Sequence, residues 1–130
     1  MDAERLKSIP LFDGLSKHER EQVARWADEV DVEPGTHLVD QGEFPHEFFV
    51  IEQGSADVII DGERIATLGP GDFFGEIALL EHHRRTASVV ATAPLRAVVM
   101  HSRDFGSMDQ SLPEVAERIR EAMRRRLAGR

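Results

Sequence analysis

The 130-residue chain contains no cysteine, which removes disulfides, thiolate zinc sites and cysteine-ligated iron–sulfur clusters from consideration. No apolar run approaches the ~18 residues of a membrane-spanning helix. The N-terminus, Met1-Asp2-Ala3-Glu4-Arg5, is charged and lacks the apolar stretch of a secretory signal. Positive charge is also scarce: 16 Lys and Arg face 24 Asp and Glu, a net charge of −8. That balance argues against a broad nucleic-acid surface. The local exception is the arginine-rich C-terminus, Arg118, Arg120, Arg124, Arg125, Arg126 and Arg130, where cations suit the negative end of a helix macrodipole. No nucleophile motif, internal repeat or low-complexity tract is present. His18, His37, His46 and His101 show no ligand spacing, and adjacent His82-His83 read as a solvated loop rather than a metal site. The expectation is a cytoplasmic, non-enzymatic protein with no metal, no cofactor, no direct nucleic-acid partner and no membrane partner.

What is present fits a single domain over residues 1–130. Hydrophobic residues at 41% and charged residues at 31% are ordinary for a globular chain. Ser16 and Glu19 have capping-box spacing, and Val23, Ala24, Ala27 and Val30 recur on one face, so a helix is predicted over 16–30. An N-terminal helical part is therefore expected over 1–33. Pro34-Gly35 marks a turn, and the texture then changes. Short β-prone runs follow at 36–40, 47–52, 55–60, 63–68, 86–91 and 96–101, punctuated by glycines. Asp61-Gly62 separates two of them in the manner of a type I′ hairpin turn, whose two central residues need positive φ. Closely spaced short strands predict a sandwich or barrel over 34–101. Beyond it, a short helix is predicted over 102–109. Pro113 suits the first turn of another, which carries the apolar stripe Ala116, Ile119, Met123 and Leu127, widened by Val115 and Ala122. The fold class is mainly β with flanking helices: a β-barrel or jelly roll between an N-terminal helix and two C-terminal helices.

The richest stretch runs from Phe73 to Val90. Gly75 permits a tight turn, and free amides at the start of a following helical turn suit an anion. Glu76 would oppose a phosphate unless its carboxylate turned away to accept hydrogen bonds, for example from a sugar hydroxyl. Arg85 supplies a guanidinium fork for two phosphate oxygens. Spacing alone leaves two readings open: a sugar-phosphate site, or a buried Glu76–Arg85 salt bridge with no other role.

The sequence Phe74-Gly75-Glu76-Ile77-Ala78-Leu79-Leu80, a loop over 81–84, and Arg85-Thr86-Ala87-Ser88-Val89 resembles the phosphate-binding cassette of cyclic nucleotide-binding domains. These occur in catabolite-activator-type transcription factors, cyclic nucleotide-dependent kinases and cyclic nucleotide-regulated channels. Gln41-Gly42-Glu43, Phe49-Val50-Ile51 with Gly54-Ser55, and Leu68-Gly69-Pro70-Gly71-Asp72 fall in the family's order, so the resemblance covers nearly the whole chain. It implies that Glu76 accepts from the ribose 2′-hydroxyl and Arg85 pairs with the cyclic phosphate. The amides of Gly75, Ile77, Ala78 and Ala87 would line ribose and phosphate, and Thr86 would offer a hydroxyl to the phosphate and the base. Val58 and Ile65, on the two strands of the Asp61-Gly62 hairpin, would pack on the purine; they also read as barrel core, and the two roles can hold together. The nucleotide is expected to be cAMP, with cGMP as the alternative that Thr86 leaves open.

The resemblance further implies a hinge helix over 102–109 and a lid helix over 113–127. Arg126 or Arg130 would then be candidates for a cation–π cap on the base, or simply solvated. The remaining residues hold no helix-turn-helix, kinase or channel segment. The starting Met and intact ends lead to the expectation of a complete small protein, whose output goes to an unknown effector or a homodimer through the C-terminal helix. A binding-silent dimerisation or docking domain of the same fold is the alternative.

Overall fold

In a computed structural model that describes residues 1–43, 46–75 and 87–128, with side chains through residue 125, helices flank two antiparallel four-stranded sheets. The helices are α1 (Ala3–Leu6), α2 (Lys17–Ala24), α3 (Ser102–Ser111) and α4 (Pro113–Ala128), with a 3-10 turn at Pro10–Phe12. The strands are β1 (Asp28–Val32), β2 (His37–Val39), β3 (Glu47–Gln53), β4 (Ala56–Ile60), β5 (Glu63–Leu68), β6 (Phe73–Phe74), β7 (Ser88–Ala91) and β8 (Leu95–His101). The first sheet has the order β1-β8-β3-β6 and the second β2-β7-β4-β5. The pairs 1–8, 2–7, 3–6 and 4–5 are nested, as when one long hairpin is rolled up into a jelly roll. The expected mainly β architecture with flanking helices is thus what the chain adopts.

The capping box forms as predicted. The Ser16 amide donates to Glu19 Oε1 at 2.9 Å, and the Glu19 amide donates to Ser16 Oγ at 3.1 Å. The helix it starts is shorter than the predicted 16–30: α2 stops at Ala24, and the chain re-enters as β1 at Asp28. Val30, assigned to the helical face, is instead a strand residue packed with Val32 against the inter-sheet core. The sheets therefore begin before residue 34, within the part expected to be helical. The physical reason is that Val30 fits both periods. It stands three residues after Ala27, but also two before Val32, and β-branched residues favour the strand.

Alternation along the first sheet separates two cores. Phe48 and Val50 on β3, Phe73 on β6, and Val98 and Met100 on β8 join the helices in one cluster. Their neighbours Phe49, Ile51, Phe74, Leu95 and Ala97 join Val39, Ala56, Val89 and Ala91 of the second sheet in the other. The first sheet is thus buried on both faces, and β3 reads as a continuous apolar run for that reason. Helix α4 buries Ala116, Ile119 and Met123 of the predicted stripe against Leu6, Leu11, Phe12 and Leu15; Leu127 lies beyond the described side chains. Arg120 ties α4 to α3. It pairs with Asp109 at 2.9 Å and lies 5.1 Å over the Phe105 ring.

Candidate functional site

The candidate site is best located from its two ends. Phe73 and Phe74 form β6 on the first sheet, and Gly75 leaves it with φ +79°, a conformation that glycine permits. Ala87 leads into β7 on the second sheet. The stretch from Gly75 to Ala87 therefore connects one sheet to the other. Glu76, Ile77, Ala78, Arg85 and Thr86 lie outside the described residues, as do His82, His83 and Arg130; Arg126 lies beyond the described side chains.

Two predicted base contacts are described, and both flank the far end of this stretch. Val58 on β4 pairs with Val89 on β7, directly after Ala87-Ser88. It is half-buried and packs on the inter-sheet core, so for Val58 the core reading holds. Ile65 is different. Its register neighbours Ala66 and Arg64 pair with Val58 and Ile59, which leaves Ile65 as the extra residue of a β-bulge. At 57% exposure it is the exposed large hydrophobic among the described residues. The reading of Ile65 as barrel core is thus corrected: it stands on the edge strand β5 and belongs to neither core cluster. Bulges commonly re-aim a side chain beside a site.

The hairpin that carries Val58 and Ile65 is held in place by a residue to which sequence reasoning gave no role. Asp61 and Gly62 take φ +50° and +82°, the two positive values of the expected type I′ turn. Gln41 grips this turn with its whole amide. Its Nε2 donates to Asp61 Oδ1 and its Oε1 accepts from the Asp61 amide, both at 2.9 Å. The Gln41 amide in turn donates to Ser88 Oγ at 2.9 Å, at the start of β7. Gln41 thereby fixes the distance between the β4–β5 hairpin and the end of the Gly75–Ala87 stretch. The available signal was an amide side chain before Gly42 together with an Asp-Gly turn, but no local spacing shows that the two meet.

The near end is positioned just as firmly. The Ile51 amide donates to Asp72 O at 2.9 Å and the Gly71 amide donates to Ile51 O at 2.8 Å, so β3 holds the loop that feeds β6. Asp72 Oδ2 closes that loop by accepting from the Gly69 amide at 2.8 Å. Phe49 and Phe74 stack with centroids 4.8 Å apart.

A family model for the cyclic nucleotide-binding domain matches residues 29–111. The chain belongs to the cyclic nucleotide-binding domain family. A cAMP-dependent protein kinase regulatory subunit of Yarrowia lipolytica is 37% identical over 102 residues, covering 77% of this chain and 27% of the relative. The chain thus spans about a quarter of the length of the curated relatives it matches. The structure of a cyclic nucleotide-binding domain from Methylobacillus flagellatus superposes with a TM-score of 0.85 at 21% identity, over 98% of this chain and 74% of that one. The regulatory subunit of a cAMP-independent protein kinase A from Trypanosoma brucei gives 0.81 at 25% identity, over 94% and 43%.

Among the described residues, no group of three or more histidine and acidic side chains is placed to hold a metal. No helix among them is long and apolar enough to cross a membrane. Ala116, Ile119 and Met123 of the helix expected to act as a lid lie in the helical core, and among the described residues none of α3 or α4 belongs to the inter-sheet core.

Proposed function

We propose that the chain is a cytoplasmic, non-catalytic sensor that binds a cyclic nucleotide, cAMP in preference to cGMP, across the gap between Gly75 and the β4–β5 hairpin. The observation that carries this reading is the placement of the motif ends. Phe74-Gly75 leaves one sheet and Ala87-Ser88 joins the other, beside half-buried Val58 and the exposed bulge residue Ile65. Glu76 would accept from the ribose 2′-hydroxyl and Arg85 would pair with the phosphate. The amides of Gly75, Ile77, Ala78 and Ala87 and the Thr86 hydroxyl would complete the polar cradle. Val58 and Ile65 would take one face of the purine, and Arg126 or Arg130 the other. Ligand that favours a rearranged α3–α4 pair would shift that equilibrium by its differential affinity for the two states. The output would pass to a protein effector or to a second copy through α4. The preference for cAMP is supported by kinship to a subunit described as cAMP-dependent.

The second reading is a domain of the same fold that binds no cyclic nucleotide and acts in dimerisation or docking. It is favoured by the similarity to a subunit of a cAMP-independent kinase. Calorimetric titration with cAMP and with cGMP, alongside melting curves, separates the readings. A ligand at ~100 times its Kd should raise stability by about 2.7 kcal/mol. Arg85→Ala and Glu76→Gln should each abolish that rise while leaving the unliganded melting temperature in place. Absence of heat with either nucleotide would leave the docking reading, and tighter cGMP binding would reverse the ligand preference.

A further inference from the structure

On the helix-covered face of the first sheet, the row Phe48, Val50 on β3 continues into a charged residue, Glu52. Its side chain is only 9% exposed. Glu29 on β1, with a side chain 25% exposed, faces the same Arg5 guanidinium as Glu52 does. Glu52 Oε1 and Glu29 Oε2 are both buried and make no hydrogen bond among the described residues. The charged groups that face the pair are Arg5 from α1, Asp31 from β1 and Arg96 from β8. Arg5 stands 4.0 Å from each carboxylate, beyond hydrogen-bonding distance. Arg96 is engaged by Asp31 at 2.8 Å. A cavity of about 220 Å³ lies over Glu52, lined by Ser8, Ile9, Pro10, Pro70 and Gly71, none of which is ionisable.

Two carboxyl groups that each keep a buried oxygen without a hydrogen-bond partner among the described residues are both satisfied by one arrangement: a single proton held between them, donated by one and accepted by the other. We propose that Glu29 and Glu52 share one proton, and that this proton is the latch holding the segment Ser8–Pro10 down over the first sheet. Burial, and then the hydrogen bond and charge of Glu29, push Glu52 up to about 7 against an ordinary value of 4.5. The folded protein therefore keeps a proton that the unfolded chain releases. The associated stability is fully present below about 4.5 and is lost as the pH rises through about 7.

Once the proton leaves, two anions repel each other, one of them Glu52 beneath Ser8, Ile9 and Pro10, and Arg5 opposes the repulsion only at 4.0 Å. The smallest movement that brings them water is the lifting of Ser8–Pro10, because the cavity already separates that segment from Glu52. The consequence reaches both ends of the molecule. Leu11 and Phe12, next along the chain, pack in the helical core with Ile119 and Met123 of α4. Gly71, on the far wall of the cavity, leads through Asp72 to β6 and Gly75. The latch would thus link proton binding to the C-terminal helix whether or not a nucleotide binds.

The test combines carbon-13 titration of the glutamate carboxyls with hydrogen exchange of residues 8–12, between pH 5.5 and 8.5, on the whole chain without nucleotide. In the unaltered protein Glu52 should titrate near 7. After correction for intrinsic exchange, opening of residues 8–12 should increase with pH by up to about tenfold per unit across that step. Glu52→Gln, which mimics the protonated state, should flatten the exchange profile. Glu29→Gln should bring Glu52 back towards the ordinary carboxyl range, and this variant remains informative should Glu52→Gln fail to fold. Titration of Glu52 below about pH 5.5, or the same exchange profile in the unaltered protein and in Glu52→Gln, would overturn the proposal.

Discussion

The two sheets contain four strands each, yet they have opposite relations to water. The first is enclosed, with helices on one face and the second sheet on the other, and its central strand buries Phe48 through Ile51 without a break. The second packs one face on the first, and among the described residues β5 at its edge is exposed along most of its length. Burial on both faces makes the first sheet intolerant and fixes the position of Gly75. The second sheet, exposed at its edge, can present a bulged isoleucine to a ligand. The division of labour explains why the candidate site bridges the sheets: one end needs a rigid anchor, the other a free surface.

The comparison breaks most severely where the chain changes sheets. Gly54, between β3 and β4, has φ +93°, and a Cβ there would lie 2.3 Å from Pro94 O on the connection between β7 and β8. Both contacts that matter, Pro94 O and Leu95 Cα, are backbone, so neither can swing aside. Gly54→Ala should cost about 3 kcal/mol or more, or prevent folding, because strain and overlap combine. Ile51→Ala should come next. Ile51 is fully buried between the sheets, and such truncations cost about 2–5 kcal/mol. Urea unfolding of both variants checks the order. A mild loss at Gly54 would show that the two crossings can separate, and the rigid-anchor argument would fail with it.

How far the residues announce this arrangement depends on the range of the interaction. The capping box and the Asp61-Gly62 turn are local, set by one or a few adjacent residues, and each is met. The strand β1 was hidden because Asp28-Glu29-Val30-Asp31-Val32 is a charged edge strand with only two apolar residues, and one of them also continued a helical stripe. Edge strands carry charge for good reason, since it discourages pairing with other chains, and the same charge obscures their period. The Gln41–Asp61 contact joins the turn after β2 to the β4–β5 turn, and Glu29 and Glu52 come from strands that are not consecutive in the chain. Their meeting follows from sheet register, which no spacing rule reports. The family resemblance supplied the roles of Glu76 and Arg85 but carried no role for Gln41.

The Gln41 staple gives an intermediate effect and sharpens the contrast between sheets. Gln41→Ala removes two hydrogen bonds to Asp61 at an exposed position. The expected loss is about 1 kcal/mol, with increased hydrogen exchange in the β4–β5 hairpin and little change in β3 or β8. Equal loosening of both sheets would mean that the second sheet has no independent freedom.

The smallest effect on stability is expected at Ile65, and it isolates the exposed edge most cleanly. Ile65 is 57% exposed and contributes to neither core. Ile65→Ser should therefore change unfolding free energy by no more than about 0.5 kcal/mol, the range typical of surface substitutions. If a purine covers it, the same change removes apolar contact that exists only in the complex, and affinity should fall by about 1–2 kcal/mol, roughly fivefold to thirtyfold. Ile51→Val provides the counterpart, with stability reduced by about 1 kcal/mol and affinity nearly retained. The two variants should thus separate along different axes, one losing binding and the other folding. An Ile65→Ser protein with lowered stability and unchanged affinity would assign the residue to the fold and leave the exposed bulge without a role in recognition.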